Sequence, residues 1–315
     1  MMTGPVPILR PYGDPLAAFL ASTDPAPVLA VISDVVGPSY RPLGAMMTVL
    51  AETDYVGTLS SGCVESDIAL NAMKARESGQ ATRVRYGDGS PFMDIQLPCG
   101  GGLEILLLPA PDRTVLRQLL QARQARVDTG LSIDLDTGAL TLAQCDRTER
   151  HADRLQIRFA PALQFALFGK GPECVTFARL AAAAGYACHV ASPDPETLDQ
   201  CAASGCRVTQ TVTPGVPEDM QIDDRTAVLL FFHDHDWEPP ILRQLAERKA
   251  LYIGAQGSQR ASETRKMALQ AEGVPMEFID SLHGPIGLIP STRDPVTLSV
   301  SVFAEILALA GGATT

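Results

Sequence analysis

The chain has 315 residues and a formal net charge of −11, with 46% hydrophobic and 19% charged residues. This length favours two domains, and the composition is that of a globular protein that can bury a core. The sequence lacks the basic stripe of a nucleic-acid-binding protein and any uncharged apolar run of the ~18 residues that a membrane span requires. Asp14 and Asp24 flank the short apolar stretch 15–21, unlike a secretory signal. We therefore predict a cytoplasmic protein without a nucleic-acid partner.

Seven cysteines are spread along the chain, and none belongs to a C-x-x-C pair. Cys201 and Cys206 are the closest pair, and no histidine lies near them in the sequence. Structural zinc sites and disulfide frameworks have characteristic cysteine spacings. The sequence predicts neither of them.

The first half of the chain mixes strands and helices without strict alternation. Gly79 is a stop signal for its first helix, Asp112 is a cap for its second, and Asp136-Thr137-Gly138 is a hairpin turn. The patterns predict strands at 28–33, 46–51, 55–61, 94–97 and 103–108, helices at 64–77 and 112–127, and a hairpin at 131–142. This half is predicted to be an α+β domain, residues 1–155.

The second half alternates strands with longer helices. Its predicted strands are 163–168, 187–191, 207–209, 227–232 and 251–254, and its predicted helices are 173–184, 195–204, 239–249, 262–273 and 295–309. Such alternation indicates a parallel sheet with helices on both faces. The fold class is therefore α/β, with an N-terminal α+β domain followed by a Rossmann-like domain, residues 156–315. The boundary is expected within the polar stretch 150–162.

A glycine turn follows the first strand of the second half. Gly169 and Gly171 stand where a Rossmann domain holds a phosphate on backbone N–H groups. Two departures count against a nicotinamide dinucleotide. Cys174 replaces the third glycine of the G-x-G-x-x-G pattern, and Ser192 occupies the strand tip where an acid would hold the ribose. The pattern predicts the fold and leaves open whether a nucleotide binds or the domain is only a scaffold.

Cys63 lies at or just before the start of the predicted helix 64–77. The N–H groups and the positive dipole end of a helix start favour a thiolate, and the small neighbours Ser61 and Gly62 leave this cysteine approachable. It could contact a sulfur species, a soft metal or a dithiolene-bound molybdenum. The alternative is a small buried side chain that fills the turn.

Two further segments of the first half carry candidate binding residues. Cys99, Gly100 and Gly101 lie between predicted strands, where consecutive glycines permit close approach by a ligand or a second loop. A hairpin-like turn with a bulge is the alternative. Arg41 lies in the glycine- and proline-rich loop 37–44 and offers a bidentate donor to a phosphate. An ordinary exposed arginine is the alternative there.

Polar and glycine residues follow two strands of the second half. His233 and Asp234 come after strand 227–232, and Gly254 and Gly257 lie at the end of the next strand. Ligands gather at the carboxyl ends of parallel strands, so we expect these residues on the rim that carries the 169–171 turn. Histidine and aspartate suit metal binding or acid–base chemistry, and a polar loop or helix cap is the alternative.

The motifs resemble those of the XdhC/CoxI family of accessory proteins for molybdenum hydroxylases. The resemblance extends over both halves of the chain. The matching stretches are GPSYRPLGAMM (37–47), VGTLSSGCVES (56–66), PCGGGLEI (98–105), ALFGKGPE (166–173), FFHDHD (231–236), YIGAQGSQR (252–260), GPIGL (284–288) and AEILAL (304–309). The motifs around Cys63 and Cys99 are the specific ones, because Rossmann motifs occur in proteins of many functions.

The resemblance implies a chaperone for molybdenum cofactor (molybdopterin) rather than a metabolic enzyme, with no catalytic residue. Such a protein would support cofactor sulfuration and insertion into an apo xanthine-dehydrogenase-like hydroxylase, with a cysteine desulfurase as the sulfur source. The resemblance is compatible with a nucleotide bound in the Rossmann domain and with a homodimer. By this resemblance Cys63 and Cys99 are the expected cofactor or sulfur contacts, with Cys63 also the metal contact, and Arg41 is the phosphate contact.

Two other functions remain open on the residues alone. The glycines at 169 and 171 suit an NAD(P)-dependent oxidoreductase, against which Cys174 and Ser192 count. The chain could also be a non-catalytic interaction protein whose Rossmann domain binds no ligand.

Overall fold

The computed structural model describes residues 8–10, 13–24, 26–60, 62, 64–88, 100–233 and 235–312. The chain divides into two compact units, Met1–Pro161 and Ala162–Thr315. The boundary predicted at 155/156 falls inside strand β10 (Arg154–Phe159), which pairs along its whole length with β7 (Thr129–Asp134) in the first unit. The division after Pro161 lies within the stretch 150–162.

The first unit contains a six-stranded sheet in the order β1-β4-β3-β2-β6-β5. Its strands are β1 (Ile8–Arg10), β2 (Val28–Val36), β3 (Met46–Ala51), β4 (Asp54–Val56), β5 (Thr82–Gly87) and β6 (Gly102–Pro109). Neighbouring strands are antiparallel except β1 and β4. The strand predicted at 94–97 lies outside the described residues.

Both faces of this sheet are buried, which explains the continuous apolar run at the start of β2. Val28, Ala30 and Ile32 face one core, and Leu29 and Val31 face another, because successive side chains of a strand point to opposite sides. Helix α2 (Glu65–Ser78) covers the first face with the buried side chains of Ile68, Ala72 and Ala75, and Gly79, in the left-handed conformation, ends the helix.

The opposite face packs against helices α1 (Pro15–Ala21) and α3 (Arg113–Gln124) and a second, four-stranded sheet. Asp112 caps α3 with its carboxylate, as predicted. The second sheet has the order β8-β7-β10-β9, with β8 (Leu140–Ala143) and β9 (Glu149–His151) at its edges. The predicted hairpin is its β7–β8 pair.

The second unit is built on a five-stranded parallel sheet in the order β13-β12-β11-β14-β15. Its strands are β11 (Gln164–Gly169), β12 (Ala187–Ser192), β13 (Arg207–Gln210), β14 (Thr226–Phe231) and β15 (Tyr252–Ala255). This is the strand order of a Rossmann fold, and the order reverses between β11 and β14, where such sheets bind ligands. The predicted fold class is confirmed.

Helices cover both faces of this sheet and enclose a separate core on each side. They are α4 (Pro172–Ala183), α5 (Pro195–Ala202), α6 (Glu238–Leu245), α7 (Gln259–Ala271), α8 (Met276–Ser281) and α9 (Pro295–Gly312). The short α8 was not predicted from the sequence. None of the helices described in either unit is long and apolar enough to cross a membrane.

Candidate functional site

Several segments of the first unit meet at one edge of its main sheet. Strands β2 and β5 run in the same direction, and their last residues, Val36 and Gly87, lie along that edge. Strand β4 runs the same way but ends further back, because Val56 pairs with Thr48 and Thr48 pairs with Leu29 of β2. Strand β6 runs the opposite way and begins there, with Gly102 between Val36 and Gly87. The loops that precede or follow these strand ends carry the motif residues of the first half.

Glu65 organises the loop that leads from β4 into α2. Its side chain is 1% exposed, and its two carboxylate oxygens accept five hydrogen bonds from this loop. Oε1 accepts from the Thr58 hydroxyl at 2.5 Å and from the N–H groups of Leu59 and Ser60. Oε2 accepts from the Ser60 hydroxyl at 2.6 Å and from the Val64 N–H at 3.2 Å. One buried carboxylate therefore sets the shape of the loop.

Glu65 also changes the electrostatics expected around Cys63. Burial alone would raise the pKa of Glu65, but the hydrogen bonds from Ser60 and Thr58 bring that pKa below its ordinary range, so the group is anionic. The Val64 N–H donates to Ser60 and Glu65 and is already occupied. The free N–H groups that the sequence predicted beside Cys63 are thus partly used by the protein itself. Cys63 and Ser61 lie outside the described residues, and Gly62 is exposed with φ 101°.

The glycine run that begins β6 packs against the loop after β2. A Cβ at Gly101 would lie 2.2 Å from the Pro38 carbonyl oxygen and 2.8 Å from that of Val36, and Gly101 is buried. Glycine is required here because the two backbones touch. Gly100 is exposed with φ 72°, and Arg41 is exposed on the neighbouring loop. The 37–44 loop and the glycine run therefore form one surface, while Cys99 lies outside the described residues.

Replacing Gly101 with alanine is expected to lower the free energy of unfolding of the first unit by about 1–3 kcal/mol, because an added methyl group overlaps two carbonyl oxygens that cannot rotate away. Urea unfolding monitored by circular dichroism measures the change. Gly311→Ala in α9 is the control, since its Cβ meets nothing within 4 Å and should cost nothing. An unchanged midpoint for Gly101→Ala would refute the close contact.

In the second unit, the glycine turn after β11 has little capacity left for a phosphate. The Lys170 N–H donates to the Phe231 carbonyl at 3.3 Å, the Gly171 N–H donates to the Thr197 hydroxyl at 2.9 Å, and Pro172 has no N–H. Gly169 lies against the end of β14, where a Cβ would be 2.6 Å from the Phe231 oxygen. Gly169 thus serves the close packing of the turn, and Gly171 provides a backbone φ of 85°.

The neighbouring strand tip offers no acid to a ribose either. Ser192 is buried, and its hydroxyl accepts the Asp194 N–H. The Asp194 carboxylate caps α5 by accepting from the N–H and hydroxyl of Thr197, and the second bond, at 2.5 Å, holds the pKa of Asp194 below its ordinary range. The N–H groups of Lys170 and Gly171 and the Asp194 carboxylate, which could otherwise contact a dinucleotide, therefore already make hydrogen bonds within the protein.

A cleft of about 730 Å³ opens at the carboxyl ends of β11, β14 and β15. Glu173 lines it from the first turn of α4, which follows β11, and His233 and Gln256 line it from the segments after β14 and β15. His233 Nε2 lies 3.5 Å from Glu173 Oε2 and 3.4 Å from Gln256 Nε2. Gly257 lines the cleft as well, with φ 136°. His233 and Gly257 thus share the predicted rim.

Gly254, which was also predicted for this rim, lies elsewhere. Gly254 is buried inside β15, where a Cβ would lie 2.5 Å from the Tyr252 ring, so its role is packing. Asp234 lies outside the described residues. A short 3-10 turn, His235–Trp237, leads into α6.

Sequence reasoning missed the buried charges behind the cleft. The Arg265 guanidinium, 5% exposed, donates to the Glu238 carboxylate at 2.8 Å and to the Gln256 carbonyl at 2.9 Å. Glu305 accepts from the Gly287 N–H and the Tyr252 hydroxyl, which holds the GPIGL loop against β15 and α9. In the sequence, the only signal for Glu238 was its position in the first turn of α6. Among the described residues, no group of three or more His, Cys, Asp or Glu side chains is arranged to hold a metal ion.

Two family models match the chain, the XdhC and CoxI family over residues 21–87 and the XdhC Rossmann domain over residues 165–306. The molybdenum cofactor insertion chaperone PaoD of Escherichia coli (strain K12) is 34% identical, covering 89% of this chain and 82% of that protein. A probable xanthine dehydrogenase subunit from Bacillus subtilis (strain 168) is 26% identical, covering 89% of this chain and 92% of that protein.

A crystal structure of a xanthine dehydrogenase from Bacillus halodurans has the same fold as this chain. The two match with a TM-score of 0.77 at 23% identity, covering 94% of this chain and 95% of that chain. The likeness therefore includes both units and not the Rossmann sheet alone.

Proposed function

The chain belongs to the XdhC and CoxI family, and from this premise we propose that it binds molybdenum cofactor as cargo and inserts it into a xanthine-dehydrogenase-like molybdenum hydroxylase. The loop braced by Glu65 is the observation that carries the proposal. The five hydrogen bonds that this buried carboxylate accepts hold one short loop in a single shape, as a binding loop requires.

The residues at this edge suit the chemistry of the cargo. Molybdopterin presents a phosphate and a pair of soft dithiolene sulfurs around molybdenum. Arg41 is an exposed guanidinium that can pair with a phosphate, and the glycine surface at 100–101 admits a ligand close to the backbone. Cys63, beside the exposed Gly62 in the chain, supplies a soft sulfur ligand in this proposal.

Insertion requires that the cargo be held and then released. An exposed arginine holds a phosphate through a screened interaction, which can be exchanged for contacts in an acceptor protein. We extend the proposal to cofactor sulfuration, with a cysteine desulfurase as the sulfur donor, because a cysteine near the metal can position a sulfur species. Cys99 is the second candidate for this contact.

Anaerobic mixing with molybdenum cofactor and an apo-hydroxylase tests the proposal. The wild-type protein should retain the cofactor through gel filtration and accelerate the appearance of hydroxylase activity, and Cys63→Ala should lose at least about tenfold in retention, the size of one strong polar contact. Cys99→Ala separates the two cysteines. Cys145→Ala is the control cysteine variant of the same unit, since the Cys145 thiol lies against Gly130 of β7 in the second sheet. Absence of retention and of faster activation by the wild-type protein would reject this function.

A further inference from the structure

The cleft of the second unit contains a carboxylate that lacks a hydrogen-bonding partner. Glu173 Oε2 is buried and accepts no hydrogen bond from any residue that the structure describes. The His233 imidazole lies beside it, but its Nε2 is 3.5 Å away, beyond good hydrogen-bond length, and its side chain is 69% exposed. A buried carboxylate oxygen without a donor is costly, and such a group in a native protein calls for an explanation.

The neighbouring helix offers a direct comparison. Both α4 and α5 begin with Pro-Glu, and Glu196 in the first turn of α5 is exposed and accepts from the Gln200 side chain. Stabilisation of a helix start by an acid therefore does not require burial. Glu173 instead lines a cleft at the point where the strand order reverses.

The cleft favours a hydrogen-bond donor over a phosphate at this position. The N–H groups of Lys170 and Gly171 are occupied, Pro172 has none, and Glu173 adds a negative charge where an anion would sit. Apolar side chains form much of the remaining wall, among them Phe232, Ile286, Ile289 and Leu298. Arg293 and Asp294 also line the cleft, but at the position of Glu173 itself the complementary group is an uncharged edge that presents N–H groups.

We propose that this cleft binds the 2-amino-4-oxopyrimidine edge of a pterin or guanine ring through Glu173. That edge presents an amino group and a ring N–H side by side, and a carboxylate accepts two such parallel donors as it does from arginine. The Gln256 side-chain amide, 3.4 Å from His233, can donate to the ring carbonyl, while Arg265 fixes the Gln256 backbone. The pterin source rests on the proposed function, because molybdopterin contains this ring.

Trp237 provides an internal reporter for the test. It is the single tryptophan of the chain, and its ring stacks on Phe232 with centroids 5.4 Å apart. Phe232 lines the cleft, so an aromatic ligand there should quench the fluorescence of Trp237. The free base 2-amino-4-oxopteridine is the first probe, which requires neither molybdenum nor anaerobic handling. GMP, CMP and NAD⁺ are the comparators.

We expect saturable quenching by the pteridine, weaker binding of CMP, which has no pair of adjacent donors, and no saturable binding of NAD⁺. The affinity for GMP shows whether the natural ligand is a guanine nucleotide or a pterin. Binding of GMP as tight as that of the pteridine indicates a guanine nucleotide site, and weaker binding indicates a pterin site. Glu173→Gln should weaken pteridine binding at least about tenfold, because its amide places a donor against the donors of the ligand. Glu196→Gln, the matched first-turn variant, should bind as the wild type does.

Gln256→Leu is a second variant that leaves Glu173 in place and should weaken binding several-fold. Unchanged affinity in Glu173→Gln, absence of pteridine binding, or tighter binding of NAD⁺ than of the pteridine would each overturn the inference. The outcome is separable from that of the proposed function. If the protein delivers the cofactor but does not bind the pteridine, only the assignment of the cleft is refuted. If it binds the pteridine but does not deliver the cofactor, only the chaperone role is refuted.

Discussion

Replacing Glu65 with alanine is expected to lower the free energy of unfolding of the first unit by about 4 kcal/mol and to abolish cofactor retention. The substitution leaves the N–H groups of Leu59 and Ser60 buried without their acceptor, and each such loss costs about 1–3 kcal/mol. Urea unfolding followed by far-UV circular dichroism measures the loss. Fluorescence of Trp237, which lies in the second unit, should keep its wild-type transition and so localises the effect.

Glu65→Gln and acid titration provide the controls for this prediction. Glutamine keeps one acceptor oxygen and the side-chain shape, so it should lose about half as much stability. The folded pKa of Glu65 is depressed, so its stabilisation is complete above the unfolded pKa and is lost as the pH falls through the folded value. Glu65→Gln should therefore flatten the acid limb of the stability profile. An unchanged acid limb would contradict the assignment of an anionic Glu65.

Replacing Arg265 with methionine is expected to destabilise the second unit by about 3–5 kcal/mol, because it removes the guanidinium that pairs with the buried Glu238 carboxylate. Both side chains are nearly inaccessible, with exposed fractions of 5% and 1%. The variant should also weaken pteridine binding, since the Gln256 carbonyl loses its donor. Trp237 fluorescence in urea reports the unfolding midpoint of this unit directly.

An exposed ion pair in the same unit is the matched control. Arg207 and Asp219 are 62% and 45% exposed, so Arg207→Met should change the stability by about 0–1 kcal/mol. A double variant, Arg265→Met with Glu238→Met, should recover most of the stability, since apolar replacement of a complete buried pair is often neutral. If the double variant is as unstable as Arg265→Met alone, the buried charge is not the cause.

The sequence by itself determined most elements of the second unit, the fold class and the family, but it missed β5, β9, β10 and α1 of the first unit. Alternation of apolar strands with helices predicted the parallel sheet, Asp112 and Gly79 marked helix ends, and the motifs around Cys63 and Cys99 identified the XdhC/CoxI resemblance, which the comparisons confirm. Such features depend on residues close together in the chain, because helix caps and strand periodicity are local.

Only the tertiary structure decided which polar groups are satisfied. Gly169 and Gly171 predicted a phosphate loop, yet Thr197, twenty-six residues later, occupies the Gly171 N–H. Glu65 is a first-turn acid by its position in the sequence, but the fold turns its carboxylate back onto Thr58 and Ser60. Hydrogen-bond satisfaction and burial depend on partners that are distant in sequence, so no local pattern contains them.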